Sequence, residues 1–141
     1  MPTGRAHTSA TLRISGALTF TAAWMIYHTG DPAWAALPIG GLAGLLLSPD
    51  LDVEKGSISN YIARRINGLF GWLWKWYWKP YGKLCPHRGA SHWPIFGTAV
   101  RLIYCFWWLP LVWLPPLEWA ATFAGGLAIV DGGHIVMDWV F

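Results

Sequence analysis

Four of the five histidines in this 141-residue chain stand with aspartates at the ends of apolar runs. His7 precedes the first run. Ser48-Pro49-Asp50-Leu51-Asp52 follows the second. Pro86-His87-Arg88-Gly89-Ala90-Ser91-His92 leads into the third, and Asp131, His134 and Asp138 lie near the end of the fourth. Ionisable groups at such places are costly unless they do something. Neutral imidazole and carboxylate together suit Zn, Mn or Fe. The two cysteines, Cys85 and Cys105, show no metal-binding spacing and no reason to pair.

Spacing adds detail. Asp131, His134 and Asp138 stand at i, i+3 and i+7, which is one helix face. His134 and Asp138, one turn apart, can serve one ion or two neighbouring ions. Asp50 and Asp52 project to the same side if their backbone is extended. His87 and His92 lie in a loop broken by Pro86, Gly89 and Pro94, and nothing in their spacing forces them together. Each residue also has a plain reading: a rim histidine is usually solvated, and an aspartate after Ser-Pro is usually a turn residue. Jointly they exceed the four ligands of one tetrahedral zinc. Either two ions are held, as in many phosphoester hydrolases, or some residues orient others. Arg88 beside His87 has the fork geometry to hold a substrate phosphate. It serves equally well as a topology-setting cation.

These residues need elements to carry them. Hydrophobic residues make up 55% of the chain and charged residues 12%, against about 25% charged in ordinary soluble domains. Twelve tryptophans accompany them. The composition excludes a disordered chain and predicts a single, all-α membrane domain. Apolar helices are expected at about 12–27, 33–48, 95–114 and 117–137. The first two are short for a bilayer core, which takes about 17–25 residues. The turns at about 28–32 and 115–116 carry no Lys or Arg, whereas seven of them lie between residues 49 and 94. That asymmetry places both termini and the 49–94 loop in the cytoplasm. Every His and Asp candidate then falls on one face of the bundle. Residues 60–81, rich in Trp and Lys, read as an amphipathic interfacial segment and make membrane lipid the expected partner. A net charge of +3 without a long basic run argues against nucleic acid.

The ordered set of an early His, Pro49-Asp50-Leu51-Asp52, His87-Arg88-Gly89-Ala90-Ser91-His92 and His134-Ile135-Val136-Met137-Asp138 resembles the DUF2227 family of metal-binding bacterial membrane proteins. That family is similar in turn to the DUF457 and YdjM-like group of predicted inner-membrane metal-dependent hydrolases. The resemblance spans nearly the whole chain. It implies His7, Asp50, Asp52, His87, His92, His134 and Asp138 as metal ligands and leaves Asp131 as an orienting partner. Trp93-Pro94 after His92 departs from the pattern.

The expected function is a membrane-bound metal-dependent hydrolase acting on a phosphoester or lipid-linked substrate. One or two divalent ions, zinc first among them, would activate water. Asp52 or Asp138 would act as general base, and Arg88 would neutralise phosphate. The alternative is a non-catalytic metal-binding membrane protein, either a sensor or a metal-stabilised scaffold. A transporter would need ionisable groups at mid-depth in several helices, and only Arg101 and Asp131 lie that deep.

Overall fold

A computed structural model describes residues 4–52, 58–85, 92–93, 95–112 and 114–140. Its described residues are helical or in turns, with no strand among them. Six α-helices follow in order: α1 (Gly4–Thr29), α2 (Ala36–Ala43), α3 (Ile58–Ile66), α4 (Gly68–Leu84), α5 (Phe96–Phe106) and α6 (Leu117–Val140). Tight 3-10 turns at Pro32–Ala35, Pro49–Asp52 and Leu109–Leu111 link them.

Local chemistry sets the breaks. At the end of α1, Gly30 takes a φ of +71°, which glycine adopts without a Cβ clash. The next turn is capped by Asp31, whose side chain accepts from the Ala33 N–H at 2.9 Å, with Pro32 at its first position. Pro110 has no N–H to continue a helix, and α5 stops at Phe106 before a 3-10 turn. The expected 95–114 helix is therefore shorter than its apolar run. The expected 33–48 helix is likewise divided into a 3-10 turn, the eight residues of α2, and a chain of turns to Leu47.

The helix contact that organises the molecule is between α2 and α6. Two glycines permit it. A Cβ on Gly40 would stand 1.9 Å from the Phe123 carbonyl oxygen, and one on Gly126 would stand 1.9 Å from the Leu37 carbonyl oxygen. Thr122 adds a hydroxyl bond to the Ala33 carbonyl at 2.8 Å. Gly126→Ala is expected to destabilise by about 2–3 kcal/mol, because backbone cannot move aside as a side chain can. Gly132, on the same helix, has open space around its Cβ position. Gly132→Ala should leave the thermal midpoint unchanged or raise it, and the pair of midpoints checks the claim.

The 49–94 region departs from expectation in a second way. The Trp-rich run also contributes to the core. It forms α4, capped by Asn67, whose side chain accepts from the Leu69 and Phe70 N–H groups. Trp78 and Tyr81 of α4 are buried in a core with Leu47, Leu51, Cys85 and Leu127. A second core joins Leu18, Ala22, Leu37 and Val130. Thus α4 is docked by one face, while Trp72 and Trp76 on other faces stay exposed. Cys85 and Cys105 are both free thiols.

Among the described residues, α6 (Leu117–Val140) is the helix long and apolar enough to cross a membrane. Two shorter apolar stretches, Pro32–Ala43 and Phe96–Leu111, stand beside it. The 26 residues of α1 extend about 39 Å at 1.5 Å per residue.

Candidate metal centre

Four pieces of chain meet at one end of the molecule. The first turns of α1 bring His7. The 3-10 turn after α2 brings Asp50. The segment before α5 brings His92. The last third of α6 brings His134 and Asp138. Entry into α5 is tightly set. Ile95 has a φ of +66° and a ψ of −53°, a strained conformation for a β-branched residue. The bonds from the Gly97 N–H to the Trp93 carbonyl and from the Ala99 N–H to the Ile95 carbonyl, each 2.9 Å, follow that bend.

One ligating atom each from Asp50, His92, His134 and Asp138 lies within 4.8 Å of all the others. Nε2 of His134 is 3.4 Å from Asp50 Oδ2 and 3.4 Å from Asp138 Oδ2. Nε2 of His92 is 3.6 Å from Asp50 Oδ1 and 3.8 Å from Asp138 Oδ2. Around a tetrahedral ion with bonds of about 2.0–2.1 Å, donors stand about 3.3–3.4 Å apart. An octahedral ion with the same bonds needs edges of about 3.0 Å. The four His–Asp separations, which involve both oxygens of Asp50, match a tetrahedral edge or exceed it slightly, and the remaining donor pairs lie within 4.8 Å. Nε2 of His134 is buried and has no hydrogen-bond partner among the described residues. Such an orphaned nitrogen, facing two carboxylates beyond normal bonding distance, suits a cation between them.

His7 stands just behind this group. Its ring stacks on His134 with centroids 3.9 Å apart, and its Nε2 lies 3.3 Å from Asp138 Oδ1. It therefore holds the carboxylate by the oxygen that faces away from His92 and His134. Carboxylate–histidine pairs of this kind fix ligand orientation.

The electrostatics keep the donors ready. Burial works against the Asp50 charge, but His134 and His92 more than offset it, and its carboxyl lies well below the usual range. His7 is pushed below its ordinary value of 6.5, first by burial and then by His134, against the pull of Asp138 and Asp50. A histidine depressed in the fold contributes stability that is complete above pH about 6.5 and is lost as pH falls toward the lowered value. Metal-free wild type should therefore lose more thermal stability than His7→Asn between pH 7 and pH 5. Melting curves across that range check it.

Not every expected residue can be placed. His87 and Arg88 lie outside the described residues, and so does the Asp52 side chain. His28, the fifth histidine, is at the far end of α1 against Trp24, with centroids 4.5 Å apart. Asp131 does not orient a histidine by any described contact. It is buried one turn before His134 and pairs with Arg101 and Thr98 of α5. Arg101 and Asp131 stand out in the sequence as the deepest ionisable groups, but their pairing was not read there. Its signal was two opposite charges at mid-depth in separate apolar segments, which pair when buried.

A family model, described as that of an uncharacterized metal-binding protein, matches residues 2–129 and so includes His7, Asp50 and His92. The chain belongs to the DUF2227 family. For this DUF2227 protein, the family description and the four-residue His/Asp group agree on metal binding. His134 and Asp138 lie just past the matched residues, on the same helix. Comparison with curated proteins and with solved structures found no significant match.

Proposed function

We propose that this protein is a membrane-embedded metal-dependent hydrolase, with Asp50, His92, His134 and Asp138 as ligands of one divalent ion. Zinc is the ion that the nitrogen–oxygen donor set and its His–Asp separations favour. When bound, such an ion acidifies water and polarises a phosphoryl oxygen. His7 positions Asp138 through its second oxygen. His87, Asp52 and Arg88 are proposed from sequence as further ligands and as the phosphate clamp.

The observation that carries the hydrolase reading is the unequal burial of the donors. The imidazole side chains of His92 and His134 are 8% and 5% exposed, whereas the carboxylates of Asp50 and Asp138 are 26% and 17% exposed. The histidines are the more deeply buried donors and the carboxylates the more exposed ones. A phosphoester could approach at the carboxylates, and one carboxylate could accept a proton from water. The second reading, a metal-stabilised scaffold, draws on the donor count, because four protein ligands complete a tetrahedron and structural zinc sites are closed.

A membrane setting is supported by α6 and by the apolar surface. Phe20, Trp24, Ile103, Leu111, Leu114 and Leu117 are all exposed, more than water tolerates on a monomer. The distribution of Lys and Arg favours a cytoplasmic site.

The test is elemental analysis of the protein purified in mild detergent, followed by phosphodiester and phospholipid hydrolysis with and without chelator. One ion per chain and chelator-sensitive turnover support the hydrolase. A tightly held ion without turnover on either substrate class supports the scaffold.

A further inference from the structure

A cleft of about 360 Å³ lies between α4 and α5, lined by Trp76, Tyr77, Lys79, Pro80, Lys83 and Tyr104. None of its residues belongs to the metal centre. Its wall is fixed by a reciprocal pair of bonds: the Tyr77 hydroxyl donates to the Tyr104 carbonyl and the Tyr104 hydroxyl to the Tyr77 carbonyl, each at 2.7 Å. Lys79 and Lys83 stand one helical turn apart, so their ammonium groups repel unless an anion lies between them. Among the described residues no carboxylate lines the cleft, and neither lysine forms a salt bridge. Pro80 cannot donate the helical hydrogen bond to the Trp76 carbonyl, so that carbonyl can accept from a ligand hydroxyl. Trp76 is exposed at the edge. An indole beside paired lysines matches the chemistry of a lipid headgroup layer, where aromatic rings and cations gather.

We propose that this cleft binds a phosphate group, as carried by an anionic phospholipid headgroup. Its volume is at the small end of ligand pockets, which span about 300–1,000 Å³. It can take a headgroup, while the acyl chains remain outside. The cleft is independent of the metal reading, since it shares no residue with that site.

The experiment is calorimetric titration of the full chain in uncharged detergent with dioctanoyl phosphatidylglycerol, dioctanoyl phosphatidylcholine or inorganic phosphate. Wild type should bind the glycerol lipid and not the zwitterionic one. The double variant K79Q/K83Q should bind it about tenfold more weakly or worse, and K79R/K83R should restore binding. Competition by inorganic phosphate identifies a site for the free anion, and its absence identifies a site for the lipid headgroup. Equal affinity in wild type and K79Q/K83Q, or no binding of either anion, overturns the proposal. Metal content measured on the same samples should be the same in all three proteins, which keeps this result separate from the metal centre.

Discussion

His134→Ala is expected to abolish tight metal binding while leaving the helices intact. The Nε2 of His134 is the donor closest to both carboxylates, 3.4 Å from each, so its loss removes the atom around which the set is built. The effect should exceed the 10–100-fold or so that losing an outer orienting partner costs. His7→Ala supplies the comparison. His7 touches Asp138 and stacks on His134 but is outside the four-donor group, so its removal should fall within that range. Competition against a fluorescent zinc chelator measures both. Equal losses for the two variants would make His7 a ligand, and no loss for His134→Ala would remove the site altogether.

The largest stability effect is expected at Asp131. This carboxylate and the Arg101 guanidinium are 2% and 1% exposed, and Thr98 donates its hydroxyl to the same carboxylate oxygen. Asp131→Leu removes the carboxylate that faces the buried guanidinium, and breaking a buried ion pair costs about 3–5 kcal/mol. The double variant Arg101→Met, Asp131→Leu should recover most of that loss, because two apolar side chains of similar volume carry no unpaired charge. Denaturation midpoints of the three proteins in one detergent decide it. The pair also has a place in the site's architecture. It joins the first turns of α5, which follow His92, to the turn of α6 that precedes His134. Weakened metal affinity in Asp131→Leu, regained in the double variant, would show that this joint aligns the two histidines.

Much of this is legible in the amino-acid sequence. The convergence of His7, Asp50, His92, His134 and Asp138 at one end follows from where each stands relative to an apolar segment. A helix that starts with a ligand and one that ends with a ligand deliver both to the same rim when the segments alternate in direction. Periodicity could not say where apolar runs stop being helix. The run at 33–48 is continuous in hydrophobicity, but Gly40 and Gly44 serve a close crossing with α6 and Gly41 a close approach to Ser15 and Leu18 of α1, demands made by partners elsewhere in the chain. The run at 95–114 hid two facts of different kinds. Pro110 ends the helix geometry locally, while Arg101 pairs with Asp131, thirty residues on. Trp78 and Tyr81 were unreadable as core because neighbouring tryptophans on α4 are exposed. Composition cannot distinguish a belt from a docked helix when both use the same residues.

X-ray absorption at the edge of the co-purified metal tests the central claim most directly. The account predicts a shell of nitrogen and oxygen only, at about 2.0–2.1 Å, with the outer-shell scattering of two imidazoles. A sulfur shell at about 2.3 Å, or a protein that retains no ion under any loading, would contradict it.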